Sequence, residues 1–108
     1  MRGMRPAWCL AAGAALLLPW TLKTGIAAGD RALGEYLSSE CVACHQLTGR
    51  HQGIPPIVGW PVASFIAIMN EYREKRRSNP VMQTIAGKFS NEDVAALAAY
   101  FSSVKPRN

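Results

Sequence analysis

The sequence predicts an all-α domain of three principal helices and two long loops. Three observations predict it. Apolar residues recur at helical spacing in three separate stretches. Proline, glycine and capping residues cluster between those stretches. No segment shows the sustained apolar–polar alternation of a half-buried strand.

The first helix is expected from about Asp30 to Cys44. Asp30 is a suitable N-cap, and Leu33, Leu37, Cys41 and Cys44 fall on one helical face. Gly34 interrupts that pattern and weakens the helix by about 1 kcal/mol against alanine, so a packing reason is expected for it. Gln46 to Gly59 then reads as a loop, carrying Gly49, Gly53, Pro55, Pro56 and Gly59. Trp60 at its end has two open roles, covering a cofactor edge or stapling the loop to the core. The second helix begins near Pro61, a good first-turn residue, with Val62, Phe65, Ile66, Met69 and Tyr72 on its apolar face. It is expected to run through charged residues to Asn79-Pro80, where proline should end it. A second loop, Ser78 to Phe89, holds Met82. The last helix starts at Ser90, which with Asp93 resembles a capping box. Val94, Leu97, Ala98, Phe101 and Val104 form its buried face, and Pro106 marks its end.

At 108 residues the chain has room for one domain. Charged residues make up 18% and apolar residues 49%, which excludes a disordered chain. The formal charge of +5 depends on the first residues. Arg2 and Arg5 precede an almost wholly apolar stretch from Ala7 to Leu18, and small residues follow at Gly25, Ala27 and Ala28. That order is the pattern of a secretory signal peptide, expected to span residues 1–27 with cleavage after Ala27 or Ala28. The apolar stretch falls short of the ~18 residues of a spanning helix. A mature domain of residues 28–108 would lose Arg2, Arg5 and Lys23, leaving nine basic residues against seven acids, a net charge of +2. That removes the case for nucleic acid as a partner. Cys9 leaves with the signal, so Cys41 and Cys44 remain.

Cys41-Val42-Ala43-Cys44-His45 is a C-x-x-C-H run, the attachment signature of a c-type haem. Two cysteines three apart on a helix point the same way and can bond to the two vinyl groups along one side of a porphyrin. His45 follows immediately and can place its imidazole under the iron. A zinc site would need two further ligands, and His51 is the only other His or Cys left in the mature chain. A thioredoxin-like pair would need a βαβ setting, which is absent. One covalent haem c is therefore expected, and it would supply much of the core that about 80 residues could barely build alone. For the sixth iron position the chain offers Met69, Met82 and His51. Met82, in the second loop, is the expected axial ligand with His45, Met69 being core filling and His51 a surface residue. A Met/His pair suits electron transfer rather than oxygen chemistry.

Taken together, Cys41–His45, Pro55, Met82 after Asn79-Pro80-Val81, and Leu97-Ala98-Ala99-Tyr100 make the mature chain resemble a class I c-type cytochrome. The resemblance implies the class I cytochrome c fold and a non-catalytic, electron-transferring protein. It also implies that the Pro55 carbonyl accepts a hydrogen bond from His45, with Pro56 as the alternative, and that Leu97 and Tyr100 pack on the first helix. The family commonly has a glycine eight residues before the first cysteine, whereas Gly34 lies seven before. A narrower resemblance lies in Phe65 to Arg73, in Val81 to Ala86 and in Phe89-Ser90, which are similar to the haem subunit of flavocytochrome c sulfide dehydrogenase. It implies a FAD-containing, sulfide-oxidising partner in the periplasm, with a free carrier serving an oxidase, reductase or reaction centre as the alternative. The chain has no nucleotide-binding glycine motif, so any flavin belongs to another polypeptide. Arg73, Lys75, Arg76 and Arg77 form a basic cluster, either a docking rim for an acidic partner or a solvated helix end with a Glu71–Lys75 pair.

Overall fold

The computed structural model describes residues 29–50 and 53–107, together with Gly3, Met4 and Gly13. The rest of the expected signal segment, Cys9 included, and His51 lie outside the described residues. Among the described residues five helical segments follow in order: α1 (Arg31–Leu37), α2 (Ser39–Val42), α3 (Val62–Arg73), α4 (Pro80–Gly87) and α5 (Asn91–Ser103). Among the described residues there is no strand, so the fold is all-α. No described helix is long and apolar enough to cross a membrane.

The expected first helix is present but jointed. Asp30 caps it, its carboxylate accepting from the Ala32 and Leu33 amides at 2.9 and 3.1 Å. At Ser38 the hydroxyl donates to the Glu35 carbonyl at 2.6 Å, and the Ser38 amide is shared between Gly34 and Glu35 carbonyls. A serine that competes for the carbonyls of its own turn separates α1 from α2. Cys44 lies beyond α2, but the Cys44 and His45 amides still bond back to the Cys41 carbonyl.

Gly34 has its packing reason. It is buried, and a Cβ there would overlap the Ala96 carbonyl and Tyr100 Cβ. α1 and α5 therefore cross at backbone contact. Arg31 reinforces the crossing, donating to Ser103 Oγ at 2.8 Å and standing over the Tyr100 ring. α5 is the core helix. Val94, Leu97 and Phe101 are almost wholly removed from solvent, and Phe101 stacks on Phe65 of α3 with centroids 5.7 Å apart. The Ser90–Asp93 capping box is complete, with each backbone amide bonded by the other residue's side chain. α5 ends at Ser103, before Pro106.

Two expectations about the middle of the chain are corrected. α3 does not run to Asn79 but stops at Arg73. Lys75 adopts φ 57, and the Arg76 and Lys75 amides bond back to the Glu71 and Tyr72 carbonyls. This is a Schellman closure with lysine where glycine usually stands. The segment expected as a loop, Ser78 to Phe89, contains the helix α4. Asn79 is its N-cap, the side chain accepting from the Met82 amide at 3.0 Å, and Pro80 occupies the first helical position. Asn-Pro here opens a helix and does not close the one before it.

Candidate haem-binding site

The residues that carry the site come from four segments. α2 and the turn after it supply Cys41, Cys44 and His45. The following loop supplies Pro55 and Ile57. α3 contributes Phe65, Ile68, Met69 and Tyr72, and α4 contributes Val81, Met82 and Ile85. Together they line one cleft of about 860 Å³, counting its open mouth. The lining is overwhelmingly apolar.

His45 is the best-defined polar group. Its Nδ1 lies 2.7 Å from the Pro55 carbonyl oxygen. A carbonyl only accepts, so Nδ1 carries the proton and the Nε2 lone pair is left free to bind a metal. The bond also fixes the ring's rotation, because the loop bearing Pro55 is itself tied down: the Gly59 amide bonds to the Phe101 carbonyl at 2.8 Å. Pro55, not Pro56, is the partner.

The two cysteines form no disulfide and differ in setting. Cys41 is buried, and burial followed by the charge of Glu40 pushes its thiol up to about 11. Cys44 is exposed. Both line the cleft, as helical spacing requires.

Met69 and Met82 also both line it. Met69 is 5% exposed and belongs to the core cluster with Phe65 and Phe101. Met82 is only partly buried, on the first turn of α4, where the Asn79 cap sets its position. Trp60 lines the cleft and packs against the core.

Ile57, Ile68 and Ile85 were not distinguishable in the sequence as site residues. Apolar periodicity marks a buried face without showing whether that face meets protein or cofactor.

Charge is sparse in the cleft. Apart from His45, Glu40 and Arg77 are the charged residues that line it. Arg77 is bonded to Tyr72 Oη at 3.2 Å and to Glu71 at 3.4 Å, and the tyrosine bond above all raises the guanidinium's pKa. Glu71 therefore pairs with Arg77, not with Lys75 as a regular helix would have it. Arg73 turns away to bond Asn91 of α5 at 2.7 Å, and Arg76 pairs with Glu74 at 2.6 Å.

The donor set fits a covalently attached haem. Two thiols and an oriented imidazole stand at an apolar cleft with a thioether on another wall. Among the described residues no group of three or more His, Cys, Asp or Glu side chains could hold a bare metal ion. The fold and this donor set define an electron-transfer protein with one covalent haem c.

No family model matches the sequence. Individual relatives do. Cytochrome c-554(548) of Halomonas halodenitrificans is 37% identical over 83 residues, covering 70% of this chain and 98% of that protein. Cytochrome c4 of Pseudomonas aeruginosa is 31% identical over 86 residues, but the match spans 43% of its length. A thiosulfate dehydrogenase electron acceptor of Stutzerimonas stutzeri is 37% identical over 70 residues, 32% of its length. The chain belongs to the class I c-type cytochromes.

Proposed function

We propose that this cytochrome is a periplasmic one-electron carrier whose haem iron is ligated by His45 and Met82. The observation that carries the reading is the pairing across one apolar cleft of an imidazole locked by Pro55 and a methionine placed by the Asn79 cap. Cys41 and Cys44 would hold the haem through thioethers. When bound there, the haem supplies an iron that changes by one electron. The protein does the rest. Pro55 keeps the imidazole in one tautomer and one orientation. Met82 would supply the second iron ligand, a thioether, and such a ligand raises the reduction potential. The apolar walls exclude water from the iron's surroundings. The periplasmic assignment rests on the signal-like pattern of residues 1–27.

Replacing Met82 by alanine is expected to abolish the Met–iron charge-transfer band of the oxidised protein and to allow rapid CO binding on reduction. Met69→Ala is expected to do neither. A native spectrum in Met82→Ala would overturn the ligand assignment.

The donor proposed is an enzyme that oxidises a reduced inorganic sulfur compound. The motif similarity to a sulfide dehydrogenase haem subunit supports it. So do two relatives named as thiosulfate dehydrogenase electron acceptors. A FAD-containing sulfide dehydrogenase is the partner to test first. Co-purification with a flavoprotein, and haem reduction by sulfide only in its presence, are the expected results. A second reading, a free carrier serving an oxidase, reductase or reaction centre, is favoured by the match to nearly the whole of cytochrome c-554(548). Isolation as a monomer that rapidly reduces an oxidase would select it.

A further inference from the structure

The two ends of α4 face differently charged parts of the cleft. Glu40 immediately precedes Cys41, lines the cleft and accepts from Lys88 Nζ at 3.1 Å. Lys88 is the C-cap of α4, so that end of the helix stands beside the cysteine pair. Arg77 lies three residues before the other end. Eight helical residues span about 12 Å, so Arg77 and the cysteine pair are separated by roughly the length of α4.

Arg77 is held rather than waving. Its Nε donates to Tyr72 Oη at 3.2 Å, its guanidinium carbon lies 5.6 Å from the Tyr72 ring centroid, and its carbonyl accepts from Gln83 Nε2 at 3.0 Å. Nη1 meets Glu71 Oε2 at 3.4 Å, a long contact between half-exposed groups. Nη2 has no hydrogen bond among the described residues. Both Tyr72 and Arg77 line the cleft; Lys75 and Arg76, from the same basic segment, do not.

The group that Cys41 and Cys44 hold is amphipathic. Its vinyl edge would be fixed at the cysteines, and its two carboxylates belong to the edge away from the vinyl groups. We propose that Arg77, oriented by Tyr72, binds a haem carboxylate and thereby raises the reduction potential. The inference rests on the haem site described above. An anionic carboxylate stabilises the more positive, oxidised iron, and a guanidinium paired with it offsets that effect.

The test is redox titration of the purified holoprotein at fixed pH and ionic strength. Arg77→Gln is expected to lower the potential, and Arg77→Lys to recover most of the loss. Arg76→Gln removes the same charge from the same segment and is expected to shift the potential by less than half as much. An unchanged potential in Arg77→Gln, or equal shifts in Arg77→Gln and Arg76→Gln, overturns the proposal. Should Arg77→Gln give no holoprotein, Tyr72→Phe carries the test: a fall in potential is expected, and no change overturns it. The Met–iron band, recorded for the parent and each variant, reports on the axial ligands separately. Its absence from the parent would defeat the ligand assignment whatever Arg77 does.

Discussion

At the scale of single residues, local hydrogen bonds decide what each group can do. Asp93 shows it away from the haem. Its carboxylate accepts from the Ser90 amide and hydroxyl, both at 2.9 Å, and these bonds hold its pKa below the ordinary value, the backbone bond foremost. A depressed carboxylate stabilises the fold above its unfolded pKa. That contribution is lost as pH falls from about 4 through the lower folded value. Acid unfolding of Asp93→Asn holoprotein, followed by far-UV circular dichroism, should therefore show a shallower pH dependence than the parent below about pH 4. Ser90→Ala removes a helix cap and should lower stability by about 1 kcal/mol in denaturant titrations at neutral pH.

At the scale of elements, two glycine-dependent geometries make opposite predictions. Gly34→Ala puts a methyl group into the Ala96 carbonyl at the α1–α5 crossing. A loss of about 2 kcal/mol or more is expected, read as a drop in thermal midpoint of the holoprotein. Lys75 is the reverse case, a lysine at φ 57 where glycine would be relaxed. Lys75→Gly should gain about 0.5 kcal/mol, after allowing for the added freedom of the unfolded chain, and raise the midpoint by a few degrees. The same two positions show what the sequence could and could not reveal. A lone glycine inside a helical pattern advertised a close contact. A lysine advertises nothing, so α3 was expected to continue through the charged run. α4 was hidden for a related reason: Asn-Pro can close one helix or open another, and here, with α3 already ended at Arg73, it only opens α4. The Ser90 capping box and the cysteine–histidine run were legible because each is a local, chemically specific pattern. Ile68 and Ile85 were not, since their role depends on which walls the fold brings together.

At the scale of the whole molecule, the cleft sits where a core should be. α5 carries Leu97 and Phe101 with essentially no exposure, but the space between α2, α3 and α4 is lined, not filled, by the chain. Phe101→Ala removes the ring that stacks on Phe65 and should cost about 3–5 kcal/mol, most of the margin of a small domain. Removing the haem should be more severe. Chain produced without haem, or with Cys41 and Cys44 both replaced by alanine, is expected to lose most of the holoprotein's far-UV helical signal and its cooperative thermal transition. A haem-free chain with full helical signal would show that the protein alone closes the cleft.

The crossing at Gly34 and Ala96 has a kinetic side as well. It joins positions about sixty residues apart in the chain, and every residue lining the cleft lies within that span. Closing so long a loop adds little to the equilibrium cost but slows the search for the native arrangement. The cysteines come only a few residues after Gly34, whereas Ala96 is made much later. During synthesis the attachment residues therefore emerge before the helix that will seat them. The chain must wait for its last helix before the crossing can form.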